Sequence, residues 1–346
     1  MAETKTLGKP KPRSVEPKAY TTTLALSGLG AKLETIEEAR RKGYHIPLHV
    51  KRANILLYGP PKVGKTVAAH AMPRTRTLDF DNGMQSVEWA IREGIIKKDP
   101  SEIVYKTILP PPGQRQSTFV IDEAADTIDE WIADEDIPPE EWDRPYPQFW
   151  DTLIIDGGTG LTEASTILGL KENNRLGLSK SWERMLGSKK LAVTPVMIQD
   201  YKSAQELFQT FINNCRSIGK NVVLICHEYH EYEGEGENER LISVDPLLIG
   251  QLRNKIPKDF DEVWYAHVKG TRQKPEYMFQ TTPDSLHRLG SRSGCLDPVE
   301  PANFPAIKKK IAKYYNIPED QIWHAYHGTE GVARAVEEQI NAAGGI

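Results

Sequence analysis

The sequence predicts an α/β protein: a doubly wound, mostly parallel sheet with helices on both faces, a terminal β-hairpin and a small C-terminal helical appendage. Two observations predict it. Short apolar runs such as NILLY, TLIID and NVVLIC lack polar alternation, as strands covered on both faces do. Helical patterns fall between them, and that alternation implies parallel pairing.

The elements follow in order. Residues 1–19 carry Lys5, Lys9, Lys11, Pro12, Arg13 and Lys18 and predict a mobile tail. A helical segment occupies 20–50, its pattern running from 28 to 42 and stopping at Gly43. The core is expected over 51–300. Its strands are Asn54 to Tyr58, Thr75 to Phe80, Ile103 to Leu109, Thr152 to Ile155 and Asn221 to Cys226, with a helix near 203–217. Glu262 to His267 and Glu276 to Thr281 read as an antiparallel pair, and 301–346 as an appendage of two or three short helices. Two acidic inserts interrupt this order. Residues 122–143 hold eleven acids and no Lys or Arg, with Ala124, Ile128 and Ile132 at helical spacing, so an acidic amphipathic helix over the core is expected. Residues 228–239 hold six glutamates around Gly234 and Gly236 and predict a mobile loop.

Composition narrows the class. At 39% hydrophobic and 27% charged the chain is an ordinary globular sequence, and 346 residues leave room for one large core plus appendages. A net charge of −4 gives no overall attraction to nucleic acid, so such binding needs a local patch. Cys215, Cys226 and Cys295 are too few and too scattered for a disulfide framework or a CxxC metal site, which suggests free thiols in a reducing cytosol. MAETKTLGKPKPR has no apolar stretch of a secretory signal, and no run reaches membrane-spanning length; a soluble, cytoplasmic protein is expected.

Residues 59–66, GPPKVGKT, match the phosphate-loop pattern in full and sit between an apolar strand and a helix. Glycines let successive backbone N–H groups turn inward around an anion where side chains would block them. Gly59, Pro60, Pro61, Lys62, Val63, Gly64, Lys65, Thr66 and Val67 are therefore the candidate ATP-binding residues. Lys65 can reach the β- and γ-phosphates, and the Thr66 hydroxyl can ligate Mg²⁺. The helix beginning near Lys65 adds its positive end.

A triphosphatase also needs a carboxylate at the carboxyl end of a neighbouring strand. Asp156, closing TLIID, meets that need as a metal contact, direct or through water. Asp79 and Asp81 in LDFDNG are candidates to orient the attacking water, Asp81 the better because it lies past the strand; an Asp/Asn-capped turn is the alternative. His227, ending NVVLIC, is placed to hydrogen-bond the γ-phosphate or the water. HEYHE is a poor zinc motif, since its histidines are three apart rather than four and strand alternation points them to opposite faces.

The order GPPKVGKT, LDFDNG, DTLIIDGGTGLTEA, QDYKSAQ, NVVLICHE and FDEVWYAHV resembles that of the RecA-like ATPases of bacteriophages, the branch linked to single-strand annealing and recombination, over roughly residues 50–300. The resemblance implies ATP hydrolysis, with Asp81 positioning water and His227 sensing the nucleotide. It also implies a head-to-tail homo-oligomer in which a basic residue of one subunit completes the next site. Arg292 is the candidate for that role, with Arg288 and Arg272 behind it. Work on DNA in recombination, repair or replication inside a bacterial host is implied too.

Two departures stand out. Asp81 is shorter than the Glu of many relatives, and the loop after the sensor is glutamate-rich and would repel phosphates. The better candidate for single-stranded DNA is 171–190, where Lys171, Arg175, Lys180, Arg184, Lys189 and Lys190 face two acids and Trp182 can stack on a base. A solvated basic helix is the plainer reading of it. Two other functions compete: a small-molecule kinase, against which the acidic rather than Arg-bearing inserts count, and a nucleotide-gated interaction module.

Overall fold

The apolar runs pair as parallel strands. A computed structural model describes residues 48–110, 118–176, 182–186, 189–193, 196–234 and 236–344, all within the unit 46–346. The tail 1–19 and the helix expected over 28–42 lie outside the described residues. After a turn of helix α1 (Leu48–Lys51), the core runs β1 (Asn54–Gly59), α2 (Lys65–Ala69), β2 (Thr75–Asp79), α3 (Gln85–Arg92) and β3 (Ile103–Thr107). It continues with α4 (Phe119–Asp134), β4 (Thr152–Asp156), α5 (Gly158–Glu172), the hairpin β5 (Trp182–Leu186) and β6 (Lys189–Val193), α6 (Ile198–Ser217) and β7 (Asn221–Glu233). The remainder is β8 (Arg240–Pro246), α7 (Leu252–Asp259), β9 (Glu262–Thr271), β10 (Lys274–Gln280), β11 (Gly290–Ser291), β12 (Val299–Pro301), α8 (Phe304–Tyr315) and α9 (Gly328–Gly344).

The sheet order is β12-β10-β9-β1-β7-β4-β2-β3. The six strands from β9 to β3 are parallel, and β10, β12, β11 and β8 add antiparallel pairs at the margins. Ile55, Leu56, Leu57, Leu153, Ile154, Ile155, Val222, Val223 and Leu224 have no exposed surface, because helices cover both faces. On one face Leu56, Leu78, Leu153 and Leu224 join Ala124 and Ile128 of α4, Leu161 of α5 and Phe208 and Ile212 of α6. On the other, Trp264 stacks on Phe279 at 5.5 Å and packs against Phe304 of α8 at 5.7 Å, while Val67 supports Val87 and Ala90 of α3.

Several expectations change. β7 does not stop at Cys226 but runs to Glu233 and pairs antiparallel with β8, so the first half of the acidic loop expected over 228–239 belongs to a two-stranded arm. Backbone pairing needs no apolar pattern, which is why the arm left no signal. The basic stretch is not one helix: Lys171 lies in the last turn of α5, 177–181 and 187–188 lie outside the described residues, and 182–186 pairs antiparallel with 189–193 as β5 and β6. The acidic insert is the amphipathic helix α4, with Ala124 and Ile128 buried. No helix among the described residues is long and apolar enough to cross a membrane.

One buried carboxylate ties distant elements together. Glu135, just past α4, accepts from the Lys220 ammonium at 2.7 and 2.8 Å, from Trp150 N–H at 2.9 Å and from Gly328 N–H at 2.7 Å. The His327 ring lies 2.9 Å from the same group. Burial alone would raise the Glu135 carboxyl; the hydrogen bonds from His327 and Lys220 and the Lys220 charge hold it below its usual range. Burial pushes Lys220 down to about 8. Glu135→Ala leaves that ammonium and two backbone donors without their acceptor. We expect a loss of about 3–5 kcal/mol in urea unfolding. Glu130→Ala, which removes only an exposed partner of Arg144, should cost under about 1 kcal/mol. Equal midpoints for the two variants would refute the tie.

Candidate functional site

Parallel register delivers the candidate residues to one edge. Gly59 of β1 is level with His227 of β7, Asp156 of β4 with Ile225 of β7, and Asp79 of β2 with Asp156. The phosphate loop leaves β1 there. Pro60 and Pro61 have no N–H, so its inward donors begin at Lys62. Lys62 and Gly64 take left-handed conformations, with φ of 66° and 80°. α2 is only five residues long, so the backbone N–H groups of the loop matter more than any long helix dipole.

Three contacts define the centre. The Thr66 hydroxyl donates to Asp156 Oδ2 at 2.8 Å. The buried Lys65 ammonium folds back onto the carbonyls of Gly59 at 2.9 Å and Pro60 at 2.6 Å. His227 Nε2 lies 3.5 Å from Asp81 Oδ2, and its Nδ1 has no hydrogen-bond partner. Burial pushes the Asp156 carboxyl up to about 7 against the Thr66 hydrogen bond, with Asp81 and Asp79 adding to the rise. Burial also lowers Lys65, opposed by Asp156. A buried carboxylate beside a hydroxyl, with oxygen donors only, suits a hard cation such as Mg²⁺.

The two aspartates of LDFDNG separate by structure. Asp79 is fully buried and caps its own turn, accepting from the N–H groups of Asp81 at 3.2 Å and Gly83 at 3.1 Å and from the Thr107 hydroxyl at 3.2 Å. Asp81 is left facing His227. Gly157, with φ 105°, makes room for it, since a Cβ there would lie 2.7 Å from Asp81 Oδ1. Sequence reasoning passed over Gly157, although two glycines directly after Asp156 carried the signal. No group of three or more metal-type ligands occurs among the described residues, and His230 instead lies 3.0 Å from Glu228.

Other candidates are not brought to this edge. Arg292 bonds Asp261 at 2.7 Å, at the amino-terminal end of β9. Gly59 lies against Ala266, five residues further along, so Arg292 stands roughly 15 Å or more from the loop of its own chain. Arg288 bonds Asn254, whereas Arg272 sits exposed at the tip of the β9–β10 hairpin. Arg175 is bound to buried Asp200, which subtracts it from the basic stretch.

Loop, threonine, strand-end carboxylate and parallel sheet together define a nucleoside triphosphate-binding protein of the phosphate-loop class. The AAA domain model matches residues 51–165 and 181–293, about two thirds of the chain, and the chain belongs to that family. Among solved structures it is similar to the flagellar accessory protein FlaH of Methanocaldococcus jannaschii, at 11% identity over 78% of this chain and 94% of that one, with a TM-score of 0.34. A KaiC-like protein of Pyrococcus horikoshii is 10% identical over 66% and 76%, with a TM-score of 0.31. Neither likeness adds to what the strand order gives. No curated protein matches the chain.

Thr66→Val removes the hydrogen bond to a carboxylate that stays buried. The expected cost is about 1–3 kcal/mol in thermal or urea unfolding of the ligand-free protein. An unchanged midpoint would mean that Asp156 finds another donor.

Proposed function

We propose that this chain binds ATP with Mg²⁺ and hydrolyses it, working as a head-to-tail homo-oligomer on single-stranded DNA in recombination, repair or replication. The observation that carries the nucleotide part is the 2.8 Å bond from Thr66 to Asp156, which joins the GPPKVGKT loop to the strand-end carboxylate. Lys65 leaves the carbonyls of Gly59 and Pro60 for the β- and γ-phosphates, and the N–H groups from Lys62 to Thr66 turn toward the same oxygens. Thr66 and Asp156 hold Mg²⁺, which when bound neutralises charge on the phosphate oxygens. Asp81 accepts a hydrogen bond from the attacking water and orients it, while His227 contacts the γ-phosphate or that water. Arg292 lies too far from its own loop to act there, so any part it plays is in a neighbour's site. The DNA part rests on the resemblance in motif order and on Lys171 and the basic β5–β6 hairpin.

Lys65→Ala is expected to abolish both ATP binding and turnover; normal hydrolysis by that variant ends the reading. Asp81→Asn should lower kcat by about 100-fold or more with KM within a few-fold, as loss of a group that acts on the water predicts. Asp156→Asn should weaken Mg²⁺ binding about 10- to 100-fold. ATP turnover and fluorescence anisotropy with single-stranded DNA at low salt test the rest. Neither binding nor stimulation would remove DNA from the proposal. Transfer of phosphate to a nucleoside or sugar would make the chain a kinase, and tight ATP binding without turnover would make it a switch.

A further inference from the structure

Next to the phosphate loop lies a groove of about 820 Å³, within the range of small-molecule sites. Gly64 of the loop and Val67 of α2 both line the groove, which is therefore continuous with the phosphate loop. Two aromatic side chains that the core does not use stand in it. Trp89 is 52% exposed on α3, a helix that buries its neighbours Val87 and Ala90. Tyr277 of β10 is 46% exposed, and its ring is 3.1 Å from where a Cβ on Gly64 would stand. A flat, weakly polar group tethered to a triphosphate is what such walls fit, and in a nucleotide that group is the base.

The hydrogen-bonding groups of the groove are lopsided. Donors are available: Lys97, the Trp89 indole, the Tyr277 hydroxyl and Lys98, whose ammonium nitrogen is buried without a partner. No carboxylate lines it, and the Asn303 side-chain oxygen already accepts the Ala306 N–H at 3.0 Å, capping α8. Adenine and guanine both present N7 as an acceptor, and guanine adds O6 where adenine carries an amino donor, so donors can hold either purine at N7 and favour guanine where they reach O6. The side-chain donors of this groove can serve N7 of either purine.

Resting on the triphosphate reading above, we propose that this groove is a stacking subsite for the purine base, closed by Trp89 and Tyr277. Competition binding with ATP, GTP and inorganic tripolyphosphate tests it on the full chain, the wild type beside Trp89→Ala and Trp89→Phe. Because Trp89 is half exposed, neither substitution should disturb folding, which the unfolding midpoint verifies. In the wild type, ATP and GTP should both bind. Trp89→Ala should weaken both by about 10-fold or more, as loss of one base–aromatic stack does, and Trp89→Phe should restore most of it. Tripolyphosphate, which has no base, should bind wild type and Trp89→Ala alike.

ATP affinity unchanged in Trp89→Ala overturns the subsite. Equal weakening of tripolyphosphate would show that Trp89 acts on the loop instead. If tripolyphosphate and nucleotides all fail to bind the wild type, the triphosphate reading falls and the subsite with it.

Discussion

The site depends on one constraint, the common register of β2, β4, β7 and β1. Because these strands run parallel, their carboxyl ends share an edge, and the candidate carboxylates and histidine beside the loop come from residues at or just past those ends. Pairing Gly59 with His227 and Asp79 with Asp156 fixes which side chains those are. A slip of one residue in any strand would turn its terminal side chain to the opposite face. The apolar interior prevents that slip, since Leu153, Ile154 and Ile155 are all buried and exchanging the two faces would misplace every one of them. Packing therefore sets the chemistry's geometry, although no core residue takes part in it.

What was legible in the sequence was what repeats locally. NILLY followed by GPPKVGKT declared a strand, a loop and their junction, and TLIID declared a buried strand ending in a carboxylate. The preference for Asp81 over Asp79 also came from local reasoning; the structure gives Asp79 three donors of its own and places Asp81 beside His227. Long-range pairings stayed hidden. The outer half of β7 has no apolar alternation because only β8 supports it. Arg175 looked like part of a basic surface until Asp200, 25 residues on, was found beneath it. Arg292 follows the hairpin in sequence but returns on β11 to the far end of β9, a consequence of antiparallel pairing that no local pattern announces.

The charges of the loop are satisfied internally. Lys65 occupies two carbonyls of its own loop, and Thr66 occupies Asp156. These contacts hold the loop's shape. Asp81 and His227 differ from them in being partly exposed, at 35% and 40% of their side chains, and free to turn toward whatever enters.

Glu135 has a bearing on where this chain can be cut. By sequence the C-terminal residues look like an appendage, something to trim when a shorter protein is wanted. Yet Gly328 and His327 reach into the buried carboxylate that also holds Lys220 at the start of β7 and Trp150 before β4. A truncation ahead of 327 would open that cluster to water at the roots of the two strands that carry His227 and Asp156. The tail end of the polypeptide thus acts as a keystone for the sheet, and a fragment ending near 300 would lose its foundations along with its last helices.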